Sequence, residues 1–108
     1  MQVNELNSLG LKAISLPCPE RTIDGVYIGD LLSWVMGKAT ENNVWITIMS
    51  NVNVIAVASL SDVSAIILAE DVTLDSDVLA LAMEKGVNVF TTPLSAYDVA
   101  TRLYDALK

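Results

Sequence analysis

Histidine is absent from this sequence of 108 residues, and cysteine occurs only once, as Cys18. Without histidine, the chain lacks the usual general base near pH 7, the Ser-His and Cys-His nucleophile pairs, and the commonest zinc ligand. One cysteine cannot form an internal disulfide, which is typical of a cytoplasmic protein. The sequence therefore predicts a cytoplasmic protein that is not an enzyme and carries no cofactor.

Basic residues are also scarce: six Lys and Arg stand against 13 Asp and Glu, giving a net charge of −7. Such a charge repels phosphate backbones and anionic lipids, so we expect no nucleic-acid partner. No apolar run approaches the roughly 18 residues that a membrane helix needs. The segment from Met1 to Gly10 has neither the basic start nor the apolar stretch of a secretory leader. We therefore expect no membrane association.

The common phosphate-binding motifs are missing. The Gly37-Lys38 pair is followed by Ala39, and Leu32 occupies the place where a P-loop requires glycine. The five glycines are too widely spaced for a dinucleotide fingerprint. Glu70 and Asp71 could hold a hard cation, but such a pair more often ends a strand at the surface, and we predict no metal site.

Apolar residues, in contrast, are abundant: 53% of the chain is hydrophobic and 18% is charged, with a mean hydropathy of +0.50. No linker, repeat or low-complexity tract divides residues 1–108, which we interpret as a single domain. A domain of this length buries roughly 65% of the surface of its unfolded chain. The apolar surplus therefore predicts a protein partner.

Continuous apolar runs rich in β-branched residues predict strands that are covered on both faces, as in a parallel sheet. These runs are Val44–Met49, Ala65–Ala69 and Val87–Phe90, with Leu11–Leu16 as a further strand. Helices are predicted at Asp75–Lys85, ended by Gly86, and from Ser95, which begins a capping box. Asn53–Asp62 could be a strand, but a crossover between parallel strands favours a helix. The fold class is α/β, with a small mostly parallel sheet flanked by helices.

The segment Asp30–Lys38 is predicted to be a helix with Asp30 as its N-cap. It is apolar nearly all round, with one stripe of Leu31, Trp34 and Val35 and another of Leu32 and Met36. A helix on a small sheet buries one stripe in its own core, so the other stripe faces either covering loops or a partner. We take these five residues as the candidate interface of a homodimer.

Candidate ligand-binding residues follow two of the strands. Ligands of open parallel sheets bind beyond the carboxyl ends of the strands, near helix N-termini. The polar residues at these places are Ser50, Asn51, Asn53, Thr91 and Thr92. The same residue types are common as helix caps and turn residues, which is the alternative interpretation.

The segment Gly25-Val-Tyr-Ile-Gly-Asp-Leu-Leu-Ser-Trp-Val-Met-Gly, followed by Asn53-Val-Ile-Ala-Val-Ala-Ser-Leu and later by Pro93-Leu-Ser-Ala-Tyr-Asp, resembles the DRTGG domain family. The resemblance covers about Leu11 to Leu107. It implies a compact α/β domain similar to the N-terminal domain of HPr kinase/phosphorylase. The name-giving motif is imperfect here: Glu20-Arg21-Thr22 and Gly25 stand roughly at its positions.

The resemblance implies a regulatory or dimerising module that senses a ligand in some settings. Three functions follow from it and from the residues. The first is a non-catalytic regulatory domain that forms a homodimer. The second is a sensor of a small molecule such as a nucleotide, and the third is an enzyme that uses Asp30 or Glu70 with Arg21. The absent P-loop disfavours the kinase activity of HPr kinase, which resides in a separate domain.

Overall fold

The computed structural model describes all 108 residues and contains five strands, four α-helices and one 3-10 helix. The strands are β1 (Lys12–Ser15), β2 (Gly25–Ile28), β3 (Asn43–Thr47), β4 (Ala65–Leu68) and β5 (Val89–Thr91). The helices are α1 (Leu32–Lys38), α2 (Asn53–Ser61), α3 (Ser76–Glu84) and α4 (Ala96–Ala106). The 3-10 helix, Val3–Leu9, precedes β1. None of the helices combines the length and hydropathy that a bilayer crossing requires.

The five strands form one sheet in the order β1-β5-β4-β3-β2. Neighbours from β2 to β5 are parallel, with Val44 of β3 opposite Val26 of β2 and Ala65 of β4. Strand β1 is antiparallel to β5, and its register shifts between Ala13 and Ser15. The sheet is therefore mixed but mostly parallel, as expected from the sequence, and β1 and β2 are its two edges.

Helices cover both faces of the sheet. Parallel crossovers are right-handed, and β2 to β5 advance across the sheet in one direction, so their connecting helices α1, α2 and α3 fall on one face. Buried side chains of these helices, such as Val35, Val54 and Val78, pack in one core cluster with Trp45. Val99 and Leu103 of α4 pack on the opposite face with Leu6 of the 3-10 helix. The result is a three-layer domain with two cores.

The predicted elements are confirmed, with small shifts at their ends. Asn53–Ser61 is a helix, because it carries the chain between two parallel strands. Gly86 follows α3 with a φ of 72°, and the Val87 N–H donates to the Ala82 carbonyl across it, which is the expected left-handed cap. Ser95 caps α4 and accepts a hydrogen bond of 3.1 Å from the Asp98 N–H.

Strand β2 and the 3-10 helix were not predicted. Gly25–Ile28 has only four residues, none of which is fully buried, so it lacks the apolar run of an interior strand. The 3-10 helix is ordered by contacts with the rest of the chain, since the Val3 and Asn4 N–H groups donate to the carbonyls of Arg21 and Pro19. Both elements depend on tertiary packing more than on a local pattern.

Candidate functional site

The carboxyl ends of β2 to β5 and the loops that leave them form one rim of the sheet. This rim is where ligands of parallel sheets bind, because helix N-termini present unpaired N–H groups there. Each of the four strands leads through its loop into a helix, from β2–α1 to β5–α4. The five candidate ligand-binding residues lie on two of these loops.

Ser50, Asn51 and Asn53 are exposed at the start of α2. The Asn51 side-chain oxygen accepts a hydrogen bond of 3.0 Å from the Asn53 N–H, so Asn51 also supports the first turn of the helix. The structure shows no intramolecular bond from the side chains of Ser50 and Asn53. These three residues therefore remain a candidate anion or nucleotide contact.

Thr91 and Thr92 have a structural role. The Thr91 hydroxyl donates to the Val72 carbonyl at 2.6 Å, and the Thr92 hydroxyl donates to the Gly10 carbonyl at 3.2 Å. Thr92 is only 1% exposed. Strand β5 is also two strands away from β3, a distance of about 10 Å. The structure therefore does not bring the threonines together with the group around Asn53.

Asp30 is not the N-cap of α1, contrary to the prediction. The cap position is Leu31, and it makes no side-chain bond. The Asp30 carboxylate instead accepts hydrogen bonds from the Thr47 hydroxyl at 2.7 Å and the Ile48 N–H at 3.1 Å. Asp30 thus ties the β2–α1 loop to the end of β3.

Glu70 and Asp71 follow β4 with left-handed φ values of 59° and 63°, and both are exposed. Their N–H groups donate to the carbonyls of Leu94 and Thr92, respectively. These bonds connect the loop after β4 to the loop after β5. No group of three or more His, Cys, Asp or Glu side chains is placed to hold a metal. This pair is explained as a link between neighbouring loops.

The five candidate interface residues of α1 divide into two sets. Val35 is fully buried and is not free to contact a partner, while Leu32 is partly buried against the same core. Including Val35 in an exposed interface was wrong, because its side chain points at the sheet. Leu31 and Trp34 are each 59% exposed and Met36 is 53% exposed. We call these three residues the outer side of α1.

The chain matches the family model of the DRTGG domain over residues 20–106. That match covers most of the chain. The chain belongs to the DRTGG domain family.

Among solved structures, the DRTGG domain is similar to the crystal structure of the CBS and DRTGG domains of the regulatory region of Clostridium perfringens pyrophosphatase, complexed with its activator diadenosine tetraphosphate. The TM-score is 0.72 at 18% sequence identity. The alignment covers 93% of this chain and 44% of that one, so the DRTGG domain spans less than half of its structural neighbour. No significant match was found among curated proteins.

The residues at the motif that names DRTGG domains lie away from the rim, at the opposite end of the sheet. The Arg21 guanidinium donates to the Asp62 carboxylate at 2.8 Å, to the Asp62 carbonyl at 2.9 Å and to the Asn42 side chain at 3.0 Å. Asn42 and Asp62 both have left-handed backbones, in the turns before β3 and after α2. Arg21 therefore joins the N-terminal segment to two turns of the sheet.

Gly25 of the same motif is explained by a close approach. A side-chain carbon at Gly25 would lie 2.9 Å from the Asn43 side-chain nitrogen on the neighbouring strand. Glycine allows β2 and β3 to pair here without displacing Asn43. In this DRTGG domain, the motif residues therefore have structural roles: Arg21 bonds to two turns, and Gly25 allows β2 and β3 to pair.

Two surface grooves remain. One has a volume of about 340 Å³ and lies between β2 and α4, and the other has a volume of about 310 Å³ and lies between α2 and α3. Both are lined mostly by apolar side chains, and neither includes a residue of the rim around Asn53. The DRTGG domain therefore has two apolar grooves that are separate from its candidate ligand site.

Proposed function

We propose that this DRTGG domain regulates without catalysing a reaction, by pairing with a second copy of itself through the outer side of α1. The observation that carries the proposal is the exposure of Trp34 and Leu31 on a helix whose other apolar side is in the core. Tryptophan is enriched at protein interfaces and is often among the residues that dominate their affinity. A helix with two apolar sides is explained when one of them packs against a partner.

The apolar area that Trp34 exposes is large enough to support a role for this residue at the centre of such an interface. Because Trp34 is 59% exposed, covering it removes on the order of 100 Å² from water and stabilises association by about 2.5 kcal/mol per copy. The Lys38 ammonium lies 5.3 Å from the Trp34 ring centroid, within the range of a cation–π interaction.

Trp34→Glu is expected to convert the protein to a monomer, because it places an unpaired charge in a dry interface. Sedimentation equilibrium at micromolar concentration should give twice the 11.6 kDa chain mass for the unchanged protein and 11.6 kDa for the variant. Since Trp34 is mostly exposed, the thermal unfolding of the variant should remain cooperative.

Leu60→Glu is the matched control. Leu60 is 74% exposed on α2, so this variant introduces the same charge on an exposed apolar residue outside the outer side of α1. It should remain dimeric. A monomeric unchanged protein would refute the proposal, and a dimer that survives Trp34→Glu would move the interface elsewhere.

A second candidate function is nucleotide sensing at the rim. It is favoured by two observations: the regulatory region of the pyrophosphatase binds a dinucleoside polyphosphate, and Ser50, Asn51 and Asn53 are exposed where α2 begins. The positive N-terminal end of the α2 dipole favours negative charge, and the Ser50 hydroxyl and the Asn53 side-chain amide can donate to a phosphate oxygen. We infer that a phosphate group of a nucleotide binds at this end of α2.

Diadenosine tetraphosphate is the probe for this site. At about 100 times its dissociation constant, a ligand stabilises the folded state by about 2.7 kcal/mol, which a thermal-shift measurement detects. Asn53→Asp should abolish the shift, because the new carboxylate repels the phosphate. The variant should still fold, since an acidic residue in the first turn of a helix is favourable.

Asn7→Asp serves as the control, because it adds the same charge at an exposed asparagine of the 3-10 helix. It should retain the thermal shift. The absence of a shift in the unchanged protein would rule out sensing of this nucleotide, and a shift retained in Asn53→Asp would place the nucleotide elsewhere.

A further inference from the structure

The two edges of the sheet are protected unequally. Edge strands of natural proteins avoid unwanted pairing through lysine, proline or irregular register. Strand β1 has Lys12 and a register shift between Ala13 and Ser15, and Pro17 and Pro19 follow it. Strand β2, with the sequence Gly-Val-Tyr-Ile, has no charge, no proline and a regular register. Only β2 is left suitable for the addition of another strand.

Hydrogen-bonding groups on the outer side of β2 are free. The Gly29 N–H donates to the Ile46 carbonyl at 3.2 Å. In a parallel pair, alternate residues of a strand bond to the same neighbour, so Tyr27 also faces β3. Val26 and Ile28 therefore direct their N–H and carbonyl groups away from the sheet. These four groups can pair with one added strand.

An apolar groove runs beside this edge. It has a volume of about 340 Å³ and is lined by residues of β2, of α4 and of the segment after α4: Gly25, Val26, Ile28, Ala100, Tyr104, Leu107 and Lys108. The Lys108 ammonium lies 3.7 Å from the Asp105 carboxylate, which offsets its charge. Ile28 is 51% exposed and Tyr104 is 68% exposed. Alternate side chains of a strand point to the same face, so two of every four side chains of an added strand would enter the groove.

We propose that the free edge of β2 is a docking site for an extended segment of a partner protein, which adds a sixth strand to the sheet. The segment carries apolar side chains at two alternate positions, which fill the groove between β2 and α4. It carries a basic residue on each side of them, because the exposed acidic residues Asp24 and Asp30 flank β2 and neither forms an ion pair. Both carboxylates accept hydrogen bonds only from uncharged groups of the β3 side, so their negative charges stay unpaired. Backbone hydrogen bonds supply affinity, while the groove and the two carboxylates select the sequence.

A second copy of this chain fits the edge less well. Antiparallel pairing of β2 with itself, centred on Tyr27, places Val26 opposite the Ile28 of the other copy. The same register brings Asp24 of one copy close to Asp30 of the other, just beyond both ends of the paired strands. Like charges that approach each other repel, which destabilises this pairing. The charge pattern therefore favours a basic partner segment over self-pairing.

The test uses the synthetic peptide acetyl-Lys-Thr-Val-Thr-Val-Thr-Lys-amide and the full chain. In antiparallel register its valines lie opposite Val26 and Ile28, and its lysines lie beyond the ends of β2, close to Asp24 and Asp30. Amide hydrogen exchange, followed by NMR, should slow at Val26 and Ile28 by about tenfold or more at saturation, since both N–H groups gain a partner. The Tyr27 N–H, already bonded to β3, should change little.

Two control peptides separate the contribution of the peptide charges from that of its backbone hydrogen bonds. Replacing both lysines with glutamate should weaken binding through repulsion by Asp24 and Asp30. Methylating both valine nitrogens should abolish the protection, because it removes the donors that pair with β2. If all three peptides bind equally, the proposal is wrong.

Two variants test the place of binding. Ile28→Lys should weaken peptide binding by at least about tenfold, because it puts a charge in the groove and repels the basic peptide. Leu60→Lys adds the same charge on α2 and should bind normally. Unchanged exchange of the core amides will show that both variants are folded. Absence of saturable protection would refute the proposal, as would protection that rises with protein concentration alone, which would identify a second copy as the occupant.

Discussion

Trp45→Ala is expected to lower the free energy of unfolding by about 4 kcal/mol, the largest effect of any single substitution considered for this protein. Trp45 lies fully buried in the middle of β3, between Tyr27 of β2 and Ile66 of β4. Its indole N–H also donates to the Gly29 carbonyl at 2.8 Å. Alanine leaves a cavity that the paired strands cannot close and leaves that carbonyl without its partner.

Urea unfolding followed by circular dichroism measures this effect. Trp34→Ala is the matched control, because it removes the other tryptophan, which is 59% exposed. In a monomeric background such as Leu31→Glu, the control should change the free energy of unfolding by less than about 1 kcal/mol. Equal losses for the two tryptophans would show that the core is not centred on β3.

Asn88→Ala is expected to lower the free energy of unfolding by about 3 kcal/mol, because it leaves several buried polar groups unpaired. Asn88 is 1% exposed. Its side chain accepts from the Cys18 N–H at 2.9 Å and donates to the carbonyls of Cys18 at 2.7 Å and Ser64 at 2.9 Å. The asparagine therefore fixes the segment after β1 to the beginning of β4.

Urea unfolding measures the loss of stability in Asn88→Ala, and amide hydrogen exchange tests whether the lost hydrogen bonds of the Asn88 side chain cause it. In Asn88→Ala, the Cys18 amide should exchange faster than it does after an equally destabilising apolar truncation such as Ile66→Ala. Asn53→Ala, at an exposed asparagine, should have little effect on stability. A normal Cys18 exchange rate in Asn88→Ala, relative to Ile66→Ala, would contradict this role for the side chain.

The interior of the fold could be predicted from the sequence because its strands are buried on both faces. Residues 65 to 68 are all fully buried in β4, and their apolar side chains identify the strand without further information. The helix at Asn53–Ser61 followed from topology, although valine and isoleucine at its start favour a strand. Here the need to cross over between parallel strands outweighed local preference.

The edge of the sheet could not be predicted in the same way. Gly25–Ile28 is half-buried, and it becomes a strand because β3 offers it hydrogen-bonding partners. The 3-10 helix likewise depends on carbonyls of Pro19 and Arg21, far from it in the sequence. Local periodicity carries no signal for interactions of this kind.

The candidate site was only partly predictable, because a residue type does not reveal which group it will bond. Thr92 and Asn53 both follow strands, yet the Thr92 hydroxyl is used inside the fold while the Asn53 side chain is exposed. Asp30 has the residue type of an N-cap, but its carboxylate bonds to the end of β3. On α1, Val35 faces the sheet and is buried, whereas Trp34 faces away from the sheet and is exposed. The sequence pattern of the helix does not show which side faces the sheet.

The pairing of β1 with β5 has a consequence for biosynthesis. Lys12 pairs with Thr91, so β1, the first strand of this sheet to be synthesised, finds its hydrogen-bonding partners only when β5 has emerged. Contacts so distant in sequence slow folding, since a long loop must close before they form. During translation β2, β3 and β4 can assemble without β1, and the sheet is completed only after β5 has emerged. Fragments that stop before β5 would leave β1 unpaired and prone to aggregate.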